Sequence, residues 1–162
     1  MTDDVVATDR DVEAFTRFLK RLPHGGDVDL VILKAHLLIE EQIRQLVAEH
    51  VRNPEALRVA DLNTGQAISL AQSFFPPDHD PPLWASLRKL NKLRNEIAHN
   101  IEPKGLQDRI ADFIGSFPCG WPHEVQGQDL FELTLWSLFA SVAGLVEKPS
   151  AAVLEFIPGR SR

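Results

Sequence analysis

Three side chains suited to an anionic group, Arg94, Asn95 and His99, lie within a single short stretch of the chain. A guanidinium group offers several N–H donors to a phosphate, and an imidazole exchanges a proton near neutral pH. An arginine that stabilises negative charge beside a histidine that moves a proton suits phosphoryl chemistry. We therefore take this set as the first candidate for a functional site.

The spacing of these residues limits how they can cooperate on one helix. Asn95 and His99 are one turn apart and face the same side, whereas Arg94 and His99 diverge by roughly 140°. Three arrangements would bring Arg94 and His99 together. The helix could loosen before His99, the Arg94 side chain could wrap round, or two copies of the helix could pair across a two-fold axis. The sequence leaves all three open.

The helix that carries the set is predicted from about Leu83 to Asn100. Its apolar side chains recur at spacings of three and four, which indicates one buried helix face: Leu83, Leu87, Leu90, Leu93 and Ile97. Pro103 stops the helix, so His99 is expected in its last turn or just after it. The proline-rich residues 76–82 predict a stiff spacer that sets where this helix begins.

Six further segments have helical spacing of apolar residues or capping signals, and the chain has no strand-rich half. They are predicted at about Asp9–Leu22, Asp27–Arg52, Pro54–Ala60, Thr64–Ser73, Leu106–Phe117 and Asp129–Glu147. Thr8 is the expected N-cap of the first. The tail after Pro149 contains the apolar residues 153–157, which suggest a short strand or a packed arm.

The second predicted helix is apolar nearly all round from Val28 to Ile39, which places it in the middle of a bundle. His36 and Glu40 interrupt this apolar surface one turn apart. Two interpretations of the pair stay open. It is either a hydrogen-bonded polar pair at the edge of the core, or Glu40 orients Arg94 or His99.

The composition, 44% hydrophobic and 25% charged over 162 residues, is that of one soluble globular domain. The net charge of −6 disfavours a nucleic-acid partner, because phosphate binding is driven by lysine and arginine. Charge is local, however, and the predicted motif helix is basic, with Arg88, Lys89, Lys92 and Arg94. The lone Cys119 excludes an intrachain disulfide and fits a reducing, cytoplasmic compartment.

Two further expectations concern targeting. The acidic start of the chain, residues 1–4, does not resemble a signal peptide. The most apolar run, Leu133 to Val146, is too short to cross a bilayer and is interrupted by threonine and serine. We therefore expect no membrane partner.

The pattern Leu90-Asn91-x-Leu93-Arg94-Asn95-x-x-Ala98-His99-Asn100 resembles the signature of the HEPN superfamily, a group of small all-helical domains. His36-Leu37-Leu38-Ile39-Glu40 is similar to an early-helix segment of many bacterial members. The resemblance covers about residues 28–146. It implies a single all-α, up-and-down helical bundle over residues 1–162, with the N-terminal helix and the C-terminal tail as additions.

Many HEPN proteins are metal-independent endoribonucleases that act as homodimers, often as the toxin of a toxin–antitoxin pair. The resemblance implies catalytic roles for Arg94, Asn95 and His99 at a dimer interface. It implies no metal and no cofactor. Its motif and the flanking pattern predict four supporting residues: Glu40, Asn91, Glu96 and Asn100.

In such an enzyme His99 would act as general base or acid toward a ribose 2′-hydroxyl, so RNA and not DNA would be cut. A second copy and a cognate antitoxin or other protein would be the partners. Two other interpretations stay open. One is an inactive nucleotide- or protein-binding module, which the acidic composition favours. The other is a structural dimerisation domain whose motif residues bond across the two-fold axis.

Overall fold

A computed structural model describes residues 9–146, and within this range the chain forms seven α-helices and no strand. The helices are α1 (Asp9–Arg21), α2 (Val28–His50), α3 (Pro54–Ala60), α4 (Thr64–Gln72), α5 (Pro81–His99), α6 (Leu106–Ser116) and α7 (Gly127–Val146). The all-α prediction is confirmed, with every helix end within two residues of the expected one. The expected cap at Thr8 and the strand or arm in the tail lie outside the described residues.

Side-chain caps fix where the helices around the motif begin. Asn63 and Gln66 form a reciprocal capping box at the start of α4. Asp80, in a left-handed backbone conformation, accepts a hydrogen bond from the Leu83 amide at 3.1 Å and caps α5. The last two prolines of the predicted spacer therefore lie inside the first turn of α5. Proline is tolerated there because the first helical amides need no acceptor within the helix.

The core forms around α2, which packs on α1, α3, α4, α5 and α7. Most of its apolar side chains, including Ile32, Ile39 and Leu46, are almost fully buried. Leu30 and Leu37 are exposed, however, so the first half of α2 is not covered on all sides as its near-continuous apolar run predicts. The predicted adjacency of α2 and α5 is present, and α4 packs against both of these helices. This three-helix contact brings the motif of α5 next to the polar residues of α2.

The apolar helix α7 has a length of 20 residues because it begins at Gly127, well before the apolar run that starts at Leu133. By length and composition α7 could cross a membrane, so the prediction that this apolar segment is too short to do so is wrong. Half of its most apolar window is buried inside the bundle, where Phe139 stacks on Phe18 of α1 with ring centroids 4.5 Å apart. This is the pattern of a core helix.

Candidate functional site

The polar side chains of α5 face two separate places. Asn91, Arg94 and Asn95 line a polar cleft of about 570 Å³, which α2 and the segment leading into α4 complete. The remaining lining residues are Glu40, Arg44, Asp61, Leu62, Asn63, Thr64 and Gly65. His99 is the last residue of α5; its side chain is exposed and does not line this cleft. The structure thus groups two of the three predicted catalytic residues and leaves the histidine outside.

A buried histidine links α2 to α5 beneath the cleft. The His36 side chain is only 3% exposed, and its Nε2 lies 3.1 Å from Asn91 Oδ1. With Nε2 protonated, the imidazole donates to the Asn91 carbonyl oxygen and joins the two helices. His36 Nδ1 lies 3.6 Å from Glu40 Oε2, beyond hydrogen-bond distance, and has no hydrogen-bond partner among the described residues. The predicted hydrogen bond between His36 and Glu40 is therefore not formed, and the hydrogen bond of His36 goes to Asn91 instead.

Glu40 pairs with an arginine that the sequence interpretation did not consider. Its Oε1 accepts hydrogen bonds from Arg44 Nε at 2.9 Å and from Arg44 Nη2 at 2.6 Å. Arg44 Nη2 also donates to the Leu62 carbonyl oxygen at 2.9 Å, which ties α2 to the segment before α4. Glu40 lines the same cleft as Arg94, as expected for a residue near the motif, but no hydrogen bond joins it to Arg94 or His99 among the described residues. Arg44, one turn further along α2, pairs with this carboxylate instead.

Arg94 is held by its neighbour in sequence. Its Nη1 donates to Asn95 Oδ1 at 3.0 Å, and no carboxylate among the described residues pairs with it. The other guanidinium N–H groups are therefore available to an anion that enters the cleft. Arg44 and Glu40 offset each other's charge, so within the part of the chain that the structure describes, Arg94 and the exposed Asp61 are the unpaired charges of the lining.

The first turn of α4 lies in van der Waals contact with the motif at Gly65. A Cβ atom at Gly65 would lie 3.7 Å from Asn91 Nδ2 and 3.4 Å from Asn63 Oδ1. The start of a helix carries partial positive charge and unsatisfied amides, which favour an anion. Thr64 and Gly65 bring this end of α4 to the same cleft as Arg94.

Two of the predicted supporting residues lie elsewhere. Glu96 forms an ion pair with Arg109 of α6, and the backbone and side-chain amides of Asn100 donate to the Glu96 carbonyl oxygen at 2.9 and 3.0 Å. Both residues line a different depression, which also includes Lys104. Asn100 caps the C-terminal end of α5, and Glu96 joins this helix to α6 through its ion pair. This geometry does not support a role for either residue beside Arg94.

The sequence interpretation missed Arg44 and the start of α4. A signal for Arg44 existed, since His36, Glu40 and Arg44 recur every four residues and form a polar stripe on an apolar helix. The contribution of Thr64 and Gly65 depends on the packing of α4 on α5, for which the sequence carried no comparable signal.

Comparisons with known proteins leave the family open. The chain matches no protein-family model, and no similar curated protein or solved structure was found. The relation to the HEPN superfamily stays a prediction, and function has to be inferred from the site.

The surroundings of His36 generate a testable pH dependence. Burial lowers the pKa of His36 below its ordinary value of 6.5, although the hydrogen bond to Asn91 and the charge of Glu40 act in the opposite direction, and the charge of Arg94 lowers it further. His36 is therefore neutral at pH 7. The unfolded chain binds this proton more readily than the folded one. The contribution of neutral His36 to the free energy of unfolding is therefore fully present above about pH 6.5 and is lost as the pH falls below that value.

We expect the NMR signals of the His36 ring to titrate with a midpoint below 6.5. Asn91→Ala removes a hydrogen bond that favours the charged ring, and so it should move that midpoint lower still. Urea unfolding at several pH values should show the matching loss of unfolding free energy on acidification. A midpoint at or above 6.5 for wild-type His36 would contradict the burial argument.

Proposed function

We propose that the protein is a HEPN-like, metal-independent endoribonuclease whose active site is completed by a second copy of the chain. The observation that carries the proposal is the division of the motif between two surfaces. Arg94 has unused donors inside a polar cleft, whereas His99 stands exposed at the end of the same helix. Pairing of two such helix ends would bring His99 of one copy toward Arg94 of the other.

The proposed reaction uses a nucleophile that the substrate supplies. His99 takes the proton from a ribose 2′-hydroxyl, or donates one to the leaving 5′-oxygen. The 2′-oxygen attacks the neighbouring phosphorus, and the bond from phosphorus to the 5′-oxygen breaks. A 2′,3′-cyclic phosphate and a 5′-hydroxyl result. Arg94 stabilises the charge on the phosphorane-like transition state, and Asn95 orients Arg94 without offsetting its charge.

Other titratable groups in this region are poorly suited to the proton transfer. His36 is buried and engaged with Asn91, while Glu40 is occupied by Arg44. His99 is the exposed group of suitable chemistry on the motif helix. We place the enzyme in the cytoplasm, where RNA is present and the lone Cys119 stays reduced. Its partners would include a cognate antitoxin or another regulatory protein.

A binding module that recognises a nucleotide or a protein without cleavage is the second candidate. The net charge of −6 and the presence of Glu40 and Asp61 in the cleft lining favour it. Weak electrostatic attraction for a polyanion would matter less for a single nucleotide than for a long RNA. Under this alternative Arg94 would bind a phosphate, and His99 would have no role in chemistry.

The first prediction of the proposal concerns RNA cleavage by the purified protein. Cleavage should persist in EDTA, leave 2′,3′-cyclic phosphate ends or their hydrolysis product, and spare DNA, which lacks the 2′-hydroxyl. His99→Ala should reduce the rate by roughly 10²–10⁴-fold. Arg94→Ala should cause a loss of about 10²–10³-fold because charge stabilisation is removed. Both side chains lie outside the core, so both variants should fold.

Matched controls are His123→Ala and Arg58→Ala, which change exposed residues that do not line the cleft. Both should retain the wild-type rate. Cleavage that needs Mg²⁺, or that survives both motif substitutions, would contradict the mechanism. A folded protein that binds nucleotide in an Arg94-dependent manner but never cuts RNA would support the binding module instead.

The second prediction concerns self-association near His99. Ile101 follows the motif helix directly and is 97% exposed, so its side chain would be buried if two copies paired through this end of α5. We expect light scattering to show a dimer at concentrations on the order of tens of micromolar. Ile101→Asp should weaken that dimer. Val59→Asp, on α3 and also highly exposed, is the matched control and should leave it intact.

A monomer at these concentrations, or equal effects of the two substitutions, would argue against pairing through the end of α5.

A further inference from the structure

A second cavity, of about 590 Å³, lies between α1, the loop that joins α6 to α7, and the first half of α7. None of its described lining residues belongs to the cleft around Arg94. Its walls are mainly apolar and include Phe18, Leu22 and Leu133. A volume in this range is typical of sites that bind small organic molecules.

Two tryptophans form part of the wall. Trp121, from the loop, and Trp136, from α7, lie with their ring centroids 5.6 Å apart and their planes inclined at 49°. The face of an indole ring carries negative electrostatic potential and attracts organic cations, more strongly when water is excluded. Inclined aromatic rings beside an apolar wall therefore favour a ligand that combines a positive charge with a hydrophobic body.

The charged residues that line the cavity also favour a positively charged ligand. Glu124, Asp129 and Glu132 line the cavity, and among the described residues no lysine or arginine does. The one basic side chain in this described lining is His24, whose Nδ1 lies 3.0 Å from Glu132 Oε2. Glu124 and Asp129 have no ion-pair partner among the described residues, and both are exposed toward solvent.

Glu132 supplies a nearly buried negative charge in the wall of the cavity. Its side chain is 8% exposed, and its Oε1 accepts hydrogen bonds from the Gly25 amide and from Gln128 Nε2, both at 2.9 Å. Burial acts to raise the pKa of Glu132, but the hydrogen bonds from Gly25, Gln128 and His24 outweigh it and the pKa is lowered below 4.5. The carboxylate is therefore ionised at neutral pH, and its field favours a cation in the cavity.

We propose that this cavity binds a small organic cation, namely an ammonium group carried on an aromatic or alkyl body. The body packs against Phe18, Leu22 and Leu133. The ammonium group lies against the tryptophan rings, on the side of Glu124 and Asp129. This site is independent of the proposed ribonuclease chemistry and remains testable if that proposal fails.

The test uses the full chain and three probes that share a phenyl ring but differ in charge. These are 2-phenylethylamine, which is cationic at pH 7, neutral 2-phenylethanol and anionic phenylacetate. Isothermal titration calorimetry should show the amine binding about tenfold more tightly than the alcohol, as expected for a partly desolvated cation on aromatic faces. The anion should bind most weakly of the three.

Two substitutions locate the binding. Trp121→Leu should reduce the affinity for the amine several-fold more than the affinity for the alcohol, because it removes the ring and keeps an apolar surface. Glu124→Gln, on the exposed loop, should have a smaller effect in the same direction and is not expected to disturb folding. Glu102→Gln, an exposed carboxylate outside the cavity, is the matched control and should change nothing.

Equal affinity for the amine and the alcohol would show an apolar cavity without preference for a cation and would overturn the proposal. Failure of all three probes to bind at millimolar concentration would also overturn it. So would amine binding that neither Trp121→Leu nor Glu124→Gln weakens, since the amine would then lie elsewhere on the protein.

Discussion

The burial of α2 on most of its sides is the constraint on which the rest of the structure depends. A buried imidazole N–H group costs about 1–3 kcal/mol if it finds no acceptor. Asn91 supplies that acceptor for His36 Nε2, and the hydrogen bond between them joins α5 to α2. Arg94, three residues after Asn91, is thereby placed at the cleft between α2 and the start of α4.

The charge pairing within that cleft leaves one arginine ready for an anion. Glu40 would offset the charge of Arg94 if the two formed an ion pair, and a phosphate would then have to displace the carboxylate. The pairing of Glu40 with Arg44 avoids this competition. Asn95 holds Arg94 through a neutral carbonyl oxygen, which limits the movement of the guanidinium group and preserves its full charge.

The sequence predicted the helices well because their apolar spacing and their caps are local signals. Asp80 and Asn63 mark helix starts, and the stripe from Leu83 to Ile97 marks the buried face of α5. Side-chain pairing was less predictable. The bond from Arg44 to the Leu62 carbonyl and the approach of Gly65 to Asn91 join residues far apart in the chain, and such contacts depend on how helices pack. Helix geometry alone did foresee that Arg94 and His99 would face different ways.

A catalytic site shared between two copies is tested most directly by mixing two inactive variants, Arg94→Ala and His99→Ala. If Arg94 of one copy works with His99 of the other, each mixed dimer contains one intact site and one site that lacks both residues. After subunit exchange at equal concentrations, RNA cleavage should return to about a quarter of the wild-type rate. If both residues act within one chain, mixing restores no activity, and that result would contradict a site completed by the second copy.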